Sequence, residues 1–405
     1  MKSSDKENIG VLVIDLGAFR TRAAMVGPSW VPKVVEVPTK GYSGYISNLD
    51  TLVLTVRRVV EELAKTVPIP PDDPIPTIIT VHLSESTQFK VANHEVSVSQ
   101  DGKVTEEQVE KLHRELRDKV TGNDGNLLFL SVSRYMVVQR GKERDVENPR
   151  GLRVEILKGM AVAMVVTSDI YENLMDIFRE YNDRYDTYEL EPLGVYSSPM
   201  YAALGAADSG VDTHLHLDLG HTSFRVVKLI NGKVFSYAEY PRGGKHIIKD
   251  ISSTLSIPPK ASFHVLKEYL GNGKRIVRVT GKDIDTTIVE EILRRSFSEF
   301  LTNAKVRSLV TGSGDRSFTL SVSGGLSVYR KIGEYISDAG FPEPLTYTDV
   351  LPENFVFHGI WKVIEERGLS VSRVRRNGRI KGRGFIKRFT EFFKKEVLGL
   401  EEKGG

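Results

Sequence analysis

Cysteine is absent from the 405 residues of the chain. Disulfide bonds and thiolate metal sites are therefore excluded, a composition that fits a reducing cytoplasm. Long apolar runs are missing as well, since no stretch approaches the roughly 18 apolar residues that a membrane-spanning helix needs. The first ten residues are polar and lead straight into an apolar strand, without the apolar region of a signal peptide. We expect a cytoplasmic protein that meets a membrane, if at all, by lying on its surface.

Acidic residues are nearly absent from one segment, residues 373–395, which contains ten lysines and arginines and a single acid, Glu391. This segment alone carries a net charge of +9, whereas the whole chain carries only +3, so the remainder is acidic by about six charges. A basic segment on an acidic body indicates a polyanionic partner, either a membrane surface or a nucleic acid.

The length of the chain predicts at least two domains, because single cores stop growing at about 250 to 300 residues. The first elements predict the α/β class. Residues 9–16 form a β-branched apolar run typical of a buried strand, and a turn at Gly17 leads into a second and a third strand. Apolar residues at helical spacing predict a helix over residues 48–65, and a further buried strand follows at 77–84. Strands, a helix and a strand in this order favour the α/β class.

Residues 85–159 have a different pattern, which predicts a small α+β insertion. We expect a hairpin that turns at Asp101 and Gly102, followed by an amphipathic helix with Thr105 as its N-cap. Strands are expected over residues 127–138 and 152–167, with the sequence ENPRGL between them.

The first pattern returns about two hundred residues later, which indicates an internal duplication. The stretch VLVIDLGAFRTRAAMVG at residues 11–27 matches HLHLDLGHTSFRVVKLI at residues 214–230. Each copy places an aspartate at a strand end and a glycine two residues later, as Asp15-Leu16-Gly17 and Asp218-Leu219-Gly220. Further helices are expected in the second half, and a strand, glycine turn and helix over residues 317–340.

The repeated D-x-G turns suit nucleotide phosphates. A tight glycine turn lets backbone N–H groups approach phosphate oxygens, and each aspartate can hold Mg²⁺ through water. Thr222 adds a hydroxyl in the second copy. A single D-x-G is more often a plain hairpin turn, but two copies in matching strands favour the phosphate interpretation. A third element, VSGGLS at residues 322–327, is a strand-to-helix turn suited to a nucleotide at a helix start.

Together, these three elements resemble the phosphate 1, phosphate 2 and adenosine motifs of the actin, Hsp70 and sugar-kinase superfamily, whose two similar domains enclose ATP. Within it the chain resembles FtsA, the bacterial division protein, in the stretch GYSGYISNLDTLVLTVRRVVEELAK, in NPRGL at residues 148–152 and in YPRGGKHIIKDIS. The resemblance implies a duplicated actin-like (ribonuclease H-like) two-lobe ATPase fold with a subdomain 1C insertion and a C-terminal amphipathic helix. It implies the following bounds: subdomain 1A at 1–84 and 161–194, subdomain 1C at 85–160, subdomain 2A at 195–241 and 299–369, subdomain 2B at 242–298, a basic linker at 370–383 and an amphipathic membrane-targeting helix at 384–400.

The resemblance also implies which residues bind the nucleotide. Asp15 and Asp218 would hold Mg²⁺ through water, and Leu326 stands where relatives carry a third glycine, so its side chain would crowd the nucleotide. Arg20 stands near the position of a lysine in relatives, and His221 is more typical of a solvated turn than of a phosphate ligand. Since no water-activating base is evident, we expect ATP binding with weak or absent hydrolysis. The expected ATP-binding residues are Asp15, Gly17, Ala18, Arg20, Asp218, Gly220, His221, Thr222, Gly243, Gly244, Lys245, Gly324, Gly325 and Leu326.

The terminal segment 384–400 is predicted to be an amphipathic helix. On a wheel of 100° per residue its large apolar side chains fall within about 140°, which suits a helix lying in the headgroup region of an anionic membrane. A helix docked on the core of the protein is the alternative. The apolar arc contains Phe385, Ile386, Phe389, Phe392, Phe393, Val397 and Leu400, and the cations outside it are Lys387, Arg388, Lys394 and Lys395.

From the resemblance we expect a filament-forming protein on the inner face of the cell membrane at the division site. Its expected partners are FtsZ through subdomain 2B, copies of itself, anionic lipid, and other division proteins through subdomain 1C, with no nucleic acid. Three alternatives stay open: a small-molecule kinase of the same superfamily, a nucleic-acid-binding adaptor that uses the arginine-rich linker, and the pilus-assembly relative PilM, which shares the core but for which this terminal helix is not expected.

Overall fold

The chain divides into two compact units, Met1–Ser198 with Ile360–Gly405 and Pro199–Gly359. A computed structural model describes residues 7–8, 10–27, 33–67, 69, 74–83, 86–98, 102–207, 211–279, 281–311, 318–329, 331–338, 341, 354–366 and 372–373. The predicted helix at 384–400 lies outside these residues, as does the basic linker at 370–383 except for residues 372–373. No helix within the described ranges is both long and apolar enough to cross a membrane.

The first unit contains a mixed sheet whose strands were largely expected from their apolar runs. Its order is β10-β5-β2-β3-β4, with β2, β3 and β4 antiparallel and β2, β5 and β10 parallel. A two-residue pairing of β1 with β17 lies apart from this sheet. The bounds are β1 (Glu7–Asn8), β2 (Val11–Leu16), β3 (Arg20–Val26), β4 (Val35–Pro38), β5 (Ile75–Val81), β10 (Leu190–Ser197) and β17 (Ser372–Arg373).

Two helices accompany this sheet, α1 (Leu49–Ala64) and α3 (Ser168–Arg184). Helix α1 begins where predicted, because the Asn48 side chain accepts a hydrogen bond from the Thr51 N–H at 2.8 Å. Its apolar face is fully buried, so burial of that face rather than helix propensity stabilises it. The buried apolar residues are Leu52, Val53, Val56, Val59, Val60 and Leu63.

A second sheet in the same unit has the antiparallel order β6-β9-β7-β8 and carries helix α2. The predicted N-cap is confirmed, since Thr105 and Gln108 form a capping box. Gly159 on β9 allows α2 to pack closely, because a Cβ there would lie 2.9 Å from a Leu112 methyl group. The bounds are β6 (Gln88–Ser97), α2 (Glu106–Thr121), β7 (Gly125–Gln139), β8 (Lys142–Val146) and β9 (Ile156–Thr167).

The predicted hairpin with a turn at Asp101-Gly102 is wrong. Strand β6 pairs along its whole length with β9, from Gln88 opposite Val165 to Ser97 opposite Ile156, and Lys103 contributes only an isolated bridge to Arg153. A long alternating strand finds its partner by burial of its apolar face, and this overrides a local turn signal.

The second unit is built on a sheet of order β13-β12-β11-β16 among its described residues, with β11, β12 and β13 antiparallel and β11 parallel to β16. A small hairpin, β14-β15, stands apart. The bounds are β11 (Thr213–Leu219), β12 (Phe224–Ile230), β13 (Lys233–Tyr240), α5 (Gly244–Leu255), α6 (Pro259–Asn272), β14 (Ile276–Val279), β15 (Lys282–Asp285), α7 (Thr287–Thr302), α8 (Ala304–Thr311), β16 (Thr319–Ser323) and α9 (Lys331–Asp338).

The core of this unit lies between the sheet and helices α5 to α9. Phe224 of β12 stacks on Phe297 of α7 with ring centroids 5.6 Å apart, and Phe297 stacks in turn on Tyr335 of α9 at 5.9 Å. Offset aromatic stacks of this kind add to the burial of their area. They fix α7 and α9 against the strand that leaves the second D-x-G turn.

Two further helices, α4 (Ser198–Ala206) and α10 (Phe355–Glu366), approach each other at backbone contact. A Cβ on Gly205 would lie 1.9 Å from the Phe355 carbonyl oxygen, and one on Gly359 would lie 1.8 Å from that of Tyr201. Only glycine fits at these two positions. The His358 side chain adds a hydrogen bond to the Gly205 carbonyl at 2.9 Å.

The strand topology bears out the duplication. In each unit three consecutive antiparallel strands, β2-β3-β4 or β11-β12-β13, are joined at the first strand to a parallel neighbour, β5 or β16. The two D-x-G turns occupy the same place, between the first and the second strand of each set.

Candidate functional site

The turn at Asp15 in the first unit is closed by its own backbone. The Gly17 N–H donates to the carbonyl oxygen of Arg20 at 3.1 Å, and the Thr39 hydroxyl donates to the Gly17 carbonyl at 2.7 Å. A Cβ on Gly17 would lie 2.6 Å from the Arg20 oxygen, so the close approach requires glycine. Gly17 and Ala18 are half-buried in this turn.

The tip of this turn is exposed. Phe19 is 44% exposed, and the guanidinium of Arg20 lies 5.6 Å from the centre of its ring. Arg20 also forms an ion pair with Glu36 at 3.2 Å on the neighbouring strand. The predicted contact of Arg20 with a phosphate stays a prediction, and making it would compete with this ion pair.

The Asp15 carboxylate is buried, with only 2% of its surface exposed. Its Oδ2 accepts a hydrogen bond from Arg22 at 2.6 Å, and its Oδ1 accepts from the hydroxyls of Thr80 at 3.0 Å and Ser198 at 2.7 Å. Arg22 reaches the carboxylate because it stands directly opposite Asp15 in the β2–β3 pair.

The turn at Asp218 repeats this arrangement in the second unit. Arg225 stands opposite Asp218 in the β11–β12 pair, forms an ion pair with its carboxylate and donates to the Ser223 hydroxyl at 2.7 Å. Burial lowers the pKa of the Arg225 guanidinium, but the negative charge of Asp218, of Tyr237 when ionised and of Glu239 raises it, and the net direction is upward. The Arg225 guanidinium therefore stays positively charged.

The start of helix α5 packs on the same turn. The Gly244 N–H donates to the Gly220 carbonyl at 3.0 Å, and the Lys245 N–H donates to the His221 carbonyl at 2.8 Å. A Cβ on Gly243 would lie 2.6 Å from the Gly220 oxygen. Burial, and then the charge of Lys245, lower the pKa of His221, which is half-buried rather than fully solvated. Thr222, next along the turn, is buried.

The third glycine turn also contacts Asp218. Gly324 has φ of +92°, and a Cβ there would lie 2.5 Å from the Leu219 carbonyl oxygen and 2.8 Å from Asp218 Oδ1. The structure thus brings together, within the second unit, the predicted residues of the D-x-G turn, the α5 start and Gly324. The neighbouring Gly325 faces open space.

Leu326, in the same turn as Gly324, is buried. Its side chain is 7% exposed and belongs to the hydrophobic core of the second unit. Its predicted contact with a nucleotide stays a prediction. The bulky residue at this position is explained by core packing, which the glycine pattern of relatives does not reveal.

Sequence reasoning missed a hydrogen-bonded series of side chains along the β11–β16 pair. His214 bonds to Thr319 at 2.7 Å and to Ser321 at 2.8 Å, and His216 bonds to the same Ser321 at 2.7 Å and to Ser323 at 2.9 Å. Burial lowers the pKa of His216 to about 4, although the charge of Asp218 opposes the shift. The alternation of THLHLD with TLSVS, polar at every second position of two buried strands, is the signal that predicts it.

Sequence reasoning also missed a charged series across each sheet, which we call the D-R-E ladder. In both units the aspartate of the turn, an arginine seven residues later and a glutamate on the third strand stand opposite one another. The equal spacing of aspartate and arginine in the two copies was visible in the sequence. The members are Asp15, Arg22 and Glu36 in the first unit and Asp218, Arg225 and Glu239 in the second.

The D-R-E ladders bear on the predicted Mg²⁺ role of the aspartates. Water-mediated Mg²⁺ binding needs ionised carboxylate oxygens that face solvent, whereas both aspartates here are neutralised by an arginine within hydrogen-bond distance. No group of three or more histidine and acidic side chains in the described part of the chain is arranged to hold a metal ion. The carboxylates as placed do not fit a Mg²⁺ site.

No protein-family model and no curated protein matches the chain. Among solved structures it is similar to that of the PilM-PilN type IV pilus biogenesis complex, with 12% identity, a TM-score of 0.58 and coverage of 89% of this chain and 99% of that one. Weaker similarity connects it to the ethanolamine utilization protein EutJ from Carboxydothermus hydrogenoformans, at 11% identity, a TM-score of 0.49 and coverage of 87% and 88%. MreB5 of Spiroplasma citri bound to ADP gives 14% identity, a TM-score of 0.47 and coverage of 88% and 96%.

Identities this low show the fold alone. The chain has a mixed α/β structure with an actin-like fold, which confirms that part of the predicted fold class. The subdomain 1C insertion and the C-terminal amphipathic helix stay predictions. The duplicated strand sets and their matching turns are the features of the chain that this fold explains.

Proposed function

We propose that the chain binds ATP, with the D-x-G turns as the phosphate contacts and the turn at Gly324 as the adenosine contact. One observation carries the proposal: three glycines from separate parts of the sequence, Gly220, Gly243 and Gly324, meet at one turn where each excludes a Cβ. Where no side chain stands in the way, phosphate oxygens can approach backbone N–H groups closely. The matching turn at Gly17 supports the same role in the first unit.

Titration calorimetry of the full chain with ATP tests this proposal. The wild-type chain should bind ATP saturably. Gly324→Ala strains a residue with φ of +92° and pushes a Cβ against Leu219. Strain of roughly 1 to 3 kcal/mol in the bound conformation corresponds to about a 5- to 150-fold loss of affinity.

Gly271→Ala is the matched control for this experiment. Gly271 lies in helix α6, and a Cβ there meets only ordinary contacts at 3.7 Å from Tyr329. This variant should bind ATP as the wild type does. A wild-type chain that is folded by circular dichroism but gives no heat with ATP would remove the proposal.

The finer role we propose is that of FtsA, an actin-like division protein that polymerises and tethers FtsZ to the inner face of the cell membrane. Its support is the resemblance of the sequence motifs, together with the basic segment and phenylalanine pattern of residues 373–400. On this proposal residues 242–298 bind FtsZ, the insertion at 85–160 meets other division proteins, and the helix at 384–400 lies on anionic lipid.

A second candidate function is that of an assembly factor in a type IV pilus biogenesis complex. It is favoured by the coverage of 99% of the PilM-PilN structure at a TM-score of 0.58. Binding assays with purified FtsZ and with the PilM partner PilN separate the two candidates. Saturable binding of FtsZ supports the division role, whereas binding of PilN alone replaces it.

A further inference from the structure

The D-R-E ladders place a permanent cation at each D-x-G carboxylate. Because side chains directly opposite in an antiparallel pair stand within reach of each other, the pairing of Asp15 with Arg22 and of Asp218 with Arg225 follows from strand register. The arrangement is the same in both units, so it is a property of the duplicated motif rather than of one turn.

In the first unit the carboxylate is nearly saturated. Three side chains donate to Asp15, at 2.6 Å from Arg22, 3.0 Å from Thr80 and 2.7 Å from Ser198. A carboxylate accepts about four hydrogen bonds in all. With 2% of Asp15 exposed, a hydrated cation has no path to the carboxylate oxygens.

In the second unit the Asp218 side chain keeps 15% of its surface exposed, and its carboxylate is contacted from two sides. Arg225 is 4% exposed and occupies one side, while the backbone at Gly324 lies so close to Asp218 Oδ1 that a Cβ would stand 2.8 Å from it. The guanidinium also lies 3.8 Å from Glu239, so it is held between two carboxylates.

We infer that Arg22 and Arg225 take the place of a divalent cation at these carboxylates, so that the chain binds ATP without Mg²⁺. The inference rests on the proposed ATP binding. The two arginines neutralise the charge of the aspartates. The backbone groups of the turns then contact the phosphates. Arginine remains charged at every physiological pH, so this neutralisation needs no metal.

The first test is ATP titration of the full chain in excess Mg²⁺ and in excess EDTA. The two affinities should agree within about twofold, whereas an ATP site built on a Mg²⁺ ion loses at least about tenfold on chelation. A loss of that size in EDTA would overturn the inference while leaving ATP binding intact. Absence of binding under both conditions would instead remove the proposed function.

A second measurement needs no nucleotide, so it tests the inference even if the chain does not bind ATP. In a vacant metal site the carboxylates repel one another, so replacing one of them with a neutral amide raises the melting temperature. A carboxylate that is paired with arginine stabilises the folded chain, so the same replacement lowers the melting temperature. Asp218→Asn should therefore melt several degrees lower than the wild type, roughly 2 to 4 °C for each kcal/mol lost. Millimolar Mg²⁺ should shift neither protein.

Glu334→Gln serves as the surface control for this measurement, since Glu334 is an exposed residue of α9 and is not a member of either ladder. It should melt as the wild type does. An Asp218→Asn variant that melts higher than the wild type, or a wild-type chain whose melting temperature rises with Mg²⁺ while that of Asp218→Asn does not, would assign the carboxylate to a metal and overturn the inference.

Discussion

At the scale of single residues, His216 shows how burial makes stability depend on pH. Its ring is held by Ser321 and Ser323 in the β11–β16 pair, and burial lowers its pKa from 6.5 to about 4. The folded state therefore favours the neutral ring. Between these two pKa values the unfolded chain binds a proton that the folded chain does not, so the contribution of His216 is complete above pH 6.5 and is lost as the pH falls toward 4.

We predict that His216→Gln removes this pH dependence. The lowering of the His216 pKa from 6.5 to about 4 corresponds to a change of about 3 kcal/mol in the unfolding free energy between pH 7 and pH 4. Urea unfolding of the wild type and of His216→Gln at several pH values measures it, and the difference between the two should shrink as the pH falls. A difference that stays constant with pH would show that His216 does not titrate as inferred.

Glycines at the α4–α10 contact lead to a second prediction. Gly359→Ala would force a Cβ to within 1.8 Å of the Tyr201 carbonyl oxygen. Overpacking of this kind usually costs about 1 to 3 kcal/mol, and backbone on both sides makes relaxation difficult. Urea unfolding of Gly359→Ala should show that the free energy of unfolding is lower by at least this amount.

The control for Gly359→Ala is Gly271→Ala, also a glycine inside a helix. At this position a Cβ meets no close contact, and replacing glycine with alanine in a helix stabilises by up to about 1 kcal/mol. Equal effects of the two substitutions would mean that α4 and α10 do not touch at these glycines.

At the scale of elements, the capping box of α2 explains where that helix begins. Thr105 Oγ1 accepts from the Gln108 N–H at 3.4 Å, and Gln108 accepts from the Thr105 N–H at 2.9 Å. We predict that Thr105→Ala lowers the unfolding free energy by about 1 kcal/mol, whereas Thr105→Ser, which keeps the hydroxyl, changes it little. Urea unfolding measures both, and an alanine variant as stable as the serine variant would contradict the cap.

The same elements show what the sequence could predict. Strands β2 and β3 and helix α1 were predictable because their apolar periodicity, glycine turn and N-cap are local signals. The partner of β6 was not, because β9 lies about sixty residues later and pairing at that distance is decided by burial of whole faces. The D-x-G turns were identified from glycine and aspartate alone, but the arginines that neutralise those aspartates depend on strand register, which a single strand does not reveal.

At the scale of the whole molecule, charge is separated along the chain. Residues 373–395 carry ten cations and one acid, in a chain whose net charge is +3. The same segment contains phenylalanines at helical spacing, Phe385, Phe389, Phe392 and Phe393. Binding to a polyanion alone does not explain such an apolar arc. A lipid surface uses both features, since cations attract the headgroups and apolar side chains enter them.

We predict that the full chain sediments with vesicles of anionic phospholipid and that the chain truncated after Gly382 does not. Binding should weaken as salt is raised, because attraction to the surface is screened over about 10 Å at 0.1 M ionic strength. Replacing Phe389, Phe392 and Phe393 with serine keeps every charge, and should abolish sedimentation with vesicles. Sedimentation that the serine variant retains at low salt and loses as salt is raised would indicate a purely electrostatic partner such as a nucleic acid. Full retention by the truncated chain would place the membrane contact elsewhere.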